Sequence, residues 1–130
     1  MAEISVNGIG ALRVTMLLDS TTKTTIGTDY DKAINTAVAL KGNNTVGYGA
    51  TGDALYGIIK KVEPDGVATV QVKGFVEGVP ALTASSGTTL GSFLAVNGAG
   101  KVKNAAEGTA TKGIATAVDT TNALVDIELL

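Results

Sequence analysis

Short apolar runs alternate along the chain with polar, glycine-bearing breaks, and within the runs the hydrophobic positions recur every second residue, the period of a strand with one buried face. In the last run Val125, Ile127 and Leu129 point one way and Asp126 and Glu128 the other, and an earlier run sets Val70 and Val72 against Gln71 and Lys73. The apolar set of each run is assigned to the core. The run before it is less regular: Ile58, Lys60 and Val62 would share a face, which predicts a β-bulge or a lysine stem reaching out at a barrel mouth. Nearer the N-terminus, Ala11 to Leu18 reads as one strand, and the threonine-rich stretch from Asp19 to Asp29 reads as a flexible or partner-ordered arm. The pattern also allows a short helix between Asp31 and Ala39, and it makes residues 77–92 a connector rich in Gly, Ser and Thr.

The pattern also repeats. Residues 38–62 align without a gap on residues 94–118, at an offset of 56, with nine identities in 25 positions, among them Ala39/Ala95, Gly42/Gly98, Val46/Val102, Gly52/Gly108, Gly57/Gly113 and Ile58/Ile114. After a one-residue deletion the match continues at offset 55 through Ala68/Ala123, Val70/Val125 and Val72/Ile127. The length change falls in a loop, Glu63-Pro64-Asp65-Gly66 in the first copy and Asp119-Thr120-Thr121-Asn122 in the second, and both loops have tight-turn chemistry. A fixed internal period decides architecture before local detail does. The expected fold is mostly β: a small barrel or sandwich made of two duplicated strand-loop-strand units, with little helix. Residues 1–35 form an extended N-terminal arm and residues 36–130 a β domain, within which the repeat spans 38–73 and 94–128.

Composition narrows the chemistry. With 130 residues the chain supports one compact domain. Its five aromatics, two Phe and three Tyr, leave the core to Val, Ile, Leu and Ala, a set that packs well in sheets. Cysteine and histidine are both absent, which removes thiolate metal sites, disulfides and the commonest general base. A net charge of -2 and a single arginine, Arg13, offer no basic face for phosphates, so no nucleic-acid partner is expected. No stretch approaches the roughly 20 apolar residues that span a bilayer. Met1-Ala2-Glu3-Ile4 lacks the basic and apolar regions of an export signal, so a soluble chain with no membrane partner is expected.

Candidate chemistry reduces mostly to turns. Gly47-Tyr48-Gly49-Ala50-Thr51-Gly52 fits the G-x-G-x-x-G pattern, in which glycines let a backbone approach a pyrophosphate at a helix N-terminus, but Gly57 interrupts the segment after it and Pro64 halts it, so a turn between strands is expected instead. Asn97-Gly98-Ala99-Gly100-Lys101 lacks the first glycine and the Ser or Thr of a phosphate-binding loop and reads as a hairpin turn. Asp29/Asp31 and Asp126/Glu128 each offer two carboxylates without the further ligands a calcium site needs, so no metal and no cofactor are expected. No nucleophile stands beside a base, and no enzymatic activity is expected.

Residues 36–130 resemble a family of small head-decoration (cement) proteins of tailed phages. The likeness is carried by Val46-Gly47-Tyr48-Gly49, Asp53-Ala54-Leu55-Tyr56-Gly57-Ile58-Ile59, Val67 to Gly74, Leu94-Ala95-Val96-Asn97, Lys112-Gly113-Ile114-Ala115 and Leu124-Val125-Asp126-Ile127. The resemblance implies a structural virion protein, made in the host cytoplasm, that adds to the outer surface of a built capsid. It further implies the major capsid protein as partner, self-association as a homotrimer, an N-terminal arm lying on the capsid, and no catalytic residues. Strand addition by that arm would place the capsid contacts on Ile4, Val6, Leu12, Arg13, Val14, Met16 and Leu18. Rival readings are a small β-barrel module that binds carbohydrate or peptide, and another virion component such as a fibre-base domain.

Overall fold

A computed structural model describes residues 9–82, 87–108 and 111–130. Among these residues nine strands occur in chain order: β1 Leu12–Leu18, β2 Ala37–Gly42, β3 Thr45–Gly47, β4 Gly57–Val62, β5 Val67–Pro80, β6 Phe93–Val96, β7 Val102–Asn104, β8 Gly113–Asp119 and β9 Leu124–Leu129. A short helix, α1 (Ser20–Ile26), and a 3-10 turn over Tyr30–Ala33 lie between β1 and β2. The fold is mostly β with little helix.

The first five strands close a barrel. Their order is β1-β3-β2-β4-β5, and β1 returns to pair antiparallel with the first half of β5, from Leu17↔Val67 to Leu12↔Lys73. Its interior holds Met16, Leu18, Val38, Val46, Ile59, Val70 and Val72, joined by Ile26 and Ala33 from the crossover. Strand β5 then runs on and opens a second set, β5-β9-β8-β6-β7, which returns to the end of β5 through a parallel bridge, Ala81↔Val102, and a 2.9 Å hydrogen bond from Leu82 N to Val102 O. The second core contains Val76, Val79, Leu94, Val96, Val102, Val125, Ile127 and Leu129. Ala37, Ala39, Leu55 and Ile58 of the first half pack into this same cluster, so the face of β2 and β4 that looks away from the first barrel plugs the second.

Strand registers follow the sequence repeat. Ala37↔Ile58 and Val38↔Gly57 in the first half match Phe93↔Ile114 and Leu94↔Gly113 in the second, and Leu40↔Val46 matches Val96↔Val102, all at an offset of 56. The irregularity expected near Lys60 is a bulge between Ile59 and Lys61, and β8 carries one at the equivalent place, between Ala115 and Ala117. One alignment is corrected. Val62↔Ala68 corresponds to Val118↔Val125, and Ile59↔Val70 to Ala115↔Ile127, so past the loop the offset is 57, not 55. The second loop is one residue longer, and Ala123, at φ 55°, absorbs the extra residue. A two-residue slip keeps every side chain on its own face, so alternation alone does not distinguish the two offsets.

The N-terminal region also differs from expectation. Residues 12–35 are not an extended arm: β1 is a wall of the first barrel, parallel to β3 through Leu18↔Val46 and antiparallel to β5. The second half of β5 has the same two neighbours in its own barrel, β9 antiparallel and, through Ala81, β7 parallel. The structural duplication therefore includes β1, whose counterpart is the β5 extension over part of the stretch expected to be connector. The polar stretch after β1 is helical because Asp19 accepts a 2.9 Å hydrogen bond from Thr22 N and caps the first turn, while Gly27, at φ 63°, ends it by donating to Lys23 O. The segment from Asp31 to Ala39 holds only the 3-10 turn before β2 begins.

Where β5 passes from one barrel to the other, Gly74 adopts φ 95° and leaves no space for a Cβ, which would lie 2.7 Å from Ile9 O. Gln71, fully buried, donates from Nε2 to Lys73 O and Phe75 O at 3.0 and 3.2 Å and so spans the turn in the strand.

Candidate functional site

The two glycine-rich loops are structural clasps. After β3, Ala50 N donates to the Asp53 carboxylate at 2.9 Å, Asp53 N to Ala50 O at 3.0 Å, and Gly52 N to Val96 O at 2.9 Å. Amides that would have to face a pyrophosphate are thus already committed within the fold. The Ala50 N–H, with the Lys41 ammonium 3.5 Å away, holds the Asp53 carboxyl below its ordinary range. The loop over 97–101 is the expected hairpin: Asn97 N donates to Lys101 O, and the Asn97 side-chain oxygen accepts from Ala99 N and Lys101 N at 2.8 and 3.0 Å. The two loops hold each other, since Val96 N donates to Asp53 O, Thr51 Oγ1 donates to Asn97 O at 2.7 Å, and Ala54 bridges Ala95.

The carboxylate pairs do not converge with further ligands. Among the described residues no group of three or more metal-ligating acidic side chains forms. Asp126 instead accepts from Gly78 N at 3.0 Å, satisfying an amide freed where β5 bulges between Val76 and Val79. At its own bulge Lys60 donates to Asn35 Oδ1 at 2.8 Å, and burial, followed by the charge of Arg13, lowers its pKa.

The surface also exposes large apolar side chains. Leu12, Leu17, Leu40 and Phe93 are each about half exposed, at 51 to 53%. β1 meets β3 only at Leu17 and Leu18, and a mouth lies between the rest of β1 and the β2–β3 hairpin. Val14, Met16, Leu40 and Tyr56 line this mouth together with Thr15 and the Asn43–Asn44 turn, around a space of about 780 Å³. A second hollow of about 580 Å³ shares Leu40 and Tyr56 and continues past Lys41 and Leu55 to Lys112. The Lys112 ammonium lies 5.0 Å from the centre of the Tyr56 ring, within cation–π range.

The expected contact residues are distributed unevenly over this surface. Ile4 and Val6 lie outside the described residues. Leu12 and Arg13 are exposed and Val14 partly so, whereas Met16 and Leu18 are 8% and 4% exposed and pack inside the first barrel. Alternation along β1 makes Leu18 a core residue, unavailable to a partner unless the barrel opens. Sequence alone does not single out Leu17, Leu40 and Phe93, since a lone apolar residue in a strand gives no sign of which face it occupies. Comparison with family models, with curated proteins and with solved structures finds no match to this chain.

Proposed function

We propose that this chain is a structural virion protein that binds the outer surface of a phage capsid and stabilises it by bridging neighbouring capsomers. The observation that carries the reading is the apolar exposure of β1, where Leu17 stands half exposed on the outward face with Arg13 and Thr15, and Leu12 half exposed at the first residue of the strand. Large apolar side chains left in water on one strand gain burial when a partner covers them. The sequence resemblance to head-decoration proteins points to the same partner, and a β fold whose glycine-rich loops are spent on internal hydrogen bonds suits a bracing role.

Purified protein is expected to co-sediment with empty, expanded capsids of its own virus, and Leu12→Glu together with Leu17→Glu is expected to abolish that binding while the circular dichroism spectrum stays unchanged. Absence of co-sedimentation by the wild-type chain would overturn the proposal. Deleting β1 is not a useful test, because it removes a wall of the first barrel.

A further inference from the structure

Besides sharing β5, the two halves of the chain meet through a contact that is used only once. On the donor side of that contact, the first half presents Ala37 and Ile58, paired across β2 and β4 and both fully buried against the second core. It also presents the loop after β3, whose Gly52 N–H and Asp53 C=O bond the backbone of Val96 on the edge of β6. On the acceptor side, Val96 is fully buried.

Equivalent surfaces exist at the outer ends of the chain, and both are open. The second half repeats the donor face with Phe93↔Ile114, of which Phe93 is 51% exposed and Ile114 partly exposed. Its loop after β7 carries Gly108 at the position of Gly52, with φ 83° against 94°, and Glu107 and Gly108 are exposed. The first half repeats the acceptor edge with Leu40 at the position of Val96, and Leu40 is 53% exposed. Among the described residues no loop backbone bonds Leu40 as Asp53 and Gly52 bond Val96. The open mouth lined by Val14, Met16, Leu40 and Tyr56 is the counterpart of the space in the second barrel that Ala37, Leu55 and Ile58 fill.

We infer that a second copy of this chain docks head to tail, with its Phe93–Ile114 face and the loop at Gly108 seated in the open mouth and on the Leu40 edge of the first barrel. The occupant is specified by internal precedent: the same fold, in the same register, already makes this contact between the two halves. Of the main-chain bonds in that contact, the Gly52 N–H donor has its counterpart in the exposed Gly108 N–H, and its acceptor Val96 in the exposed Leu40. The side-chain exchange is also consistent, since a bulky Phe93 replaces Ala37 where the receiving mouth is wide. Such an interface is heterologous, joining different surfaces of the two copies, so it builds a ring or a filament according to whether the rotation closes. The inference goes beyond capsid binding and does not depend on it.

Mutating each end separately tests it. By sedimentation velocity the wild-type chain is expected to form species larger than its 13.0 kDa monomer, whereas Phe93→Asp and Leu40→Asp, each with one end disabled, are expected to be monomeric with unchanged thermal unfolding. Mixing the two variants is expected to give a 1:1 pair of twice the monomer mass and nothing larger, because the intact head of Leu40→Asp meets the intact mouth of Phe93→Asp. A monomeric wild type, assembly unaffected by both variants, or a mixture that stays monomeric would overturn the inference. A variant that failed to fold would be replaced by Ile114→Asp or Val14→Asp on the same end, read in the same way. Capsid co-sedimentation of the monomeric variants separates failure of this interface from failure of the capsid-binding proposal.

Discussion

Substituting the equivalent glycines Gly57 and Gly113 by alanine separates what the two halves share from what they do not. Both glycines open a strand, and a Cβ at either position meets an atom far inside normal contact distance. At Gly57 the obstacles are the backbone oxygen of Gln71 and Val70 Cγ1, each 2.6 Å away. Gln71 O belongs to β5, the strand shared by both barrels, and it cannot move without disturbing both ladders. At Gly113 the obstacle is Leu55 Cδ2 at 2.5 Å, the far end of a flexible side chain, with every other neighbour at 3.7 Å or more. Overpacking a core costs about 1–3 kcal/mol, and replacing glycine by alanine returns about 0.4–1 kcal/mol by restricting the unfolded chain. Gly57→Ala is therefore expected to lose about 2 kcal/mol, and Gly113→Ala between about 0 and 1 kcal/mol. At about 2.1 cal/mol/K of unfolding entropy per residue, these become a fall in Tm of about 7 °C for Gly57→Ala and under about 4 °C for Gly113→Ala. Urea unfolding followed by circular dichroism, supported by calorimetry, would measure both. Equal losses at the two sites, or no loss at Gly57, would refute the argument from backbone against side-chain obstruction.

Truncating one fully buried isoleucine in each core, Ile59→Ala or Ile127→Ala, is expected to cost about 2–5 kcal/mol apiece. Because β5 is a wall of both barrels, each variant should still unfold in one transition, with fluorescence of the three tyrosines, all in the first half, coincident with circular dichroism. Asp126→Ala leaves the part-buried Gly78 amide without its acceptor, at an expected cost of about 1–3 kcal/mol, with faster hydrogen exchange at Gly78. The depressed Asp53 pKa contributes stability that is present above the ordinary value of 3.8 and is lost as pH falls through the lower folded value, and Asp53→Asn should flatten that part of an acid titration followed by Tm. Lys60 has the opposite sense: folded, it binds its proton less tightly than when unfolded, so stability rises with pH between the folded value and about 10.5, and Lys60→Met should remove the rise. On capsids, Phe93→Asp should keep the single-copy contact and lose the avidity of linked copies, weakening apparent affinity by about 10²-fold or more in a sedimentation titration.

Much of the fold was legible because strand alternation and an ungapped repeat report the same geometry. The offset of 56 carries directly into the pairing of Ala37 with Ile58 and of Phe93 with Ile114, and the awkward phase at Lys60 marked a true bulge. What escaped was information of other kinds. The polar residues after β1 lack an amphipathic stripe long enough to announce a helix, so α1 is betrayed only by its caps, Asp19 and Gly27. Gly74 and Gly78 look like strand breakers, yet a positive φ at each lets β5 bend and bulge without ending. The partnership of β1 with the β5 extension has no residue identities to reveal it, because it lies in neighbours and direction. The exposed surface was least legible, since exposure of Leu40 or Phe93 depends on what the other half of the chain covers.

That dependence explains why one acceptor edge, at Val96, is covered while its counterpart, at Leu40, is exposed. A duplicated unit that packs on its own copy through unlike surfaces uses one donor face and one acceptor edge, and the other donor face and acceptor edge remain at the ends of the chain. In repeat proteins terminal units escape this by carrying polar outer faces. Here the terminal positions are not polar: Phe93 stands where Ala37 stands, and Leu40 where Val96 stands, so each open end carries a larger side chain than its buried equivalent. A chain selected to remain single would gain solubility from a charge at either position, and neither has one. The apolar character of both ends at once is what a contact between copies requires. Arg13 and Leu17 on the outer side of β1 lie outside that mouth and stay available to a different partner.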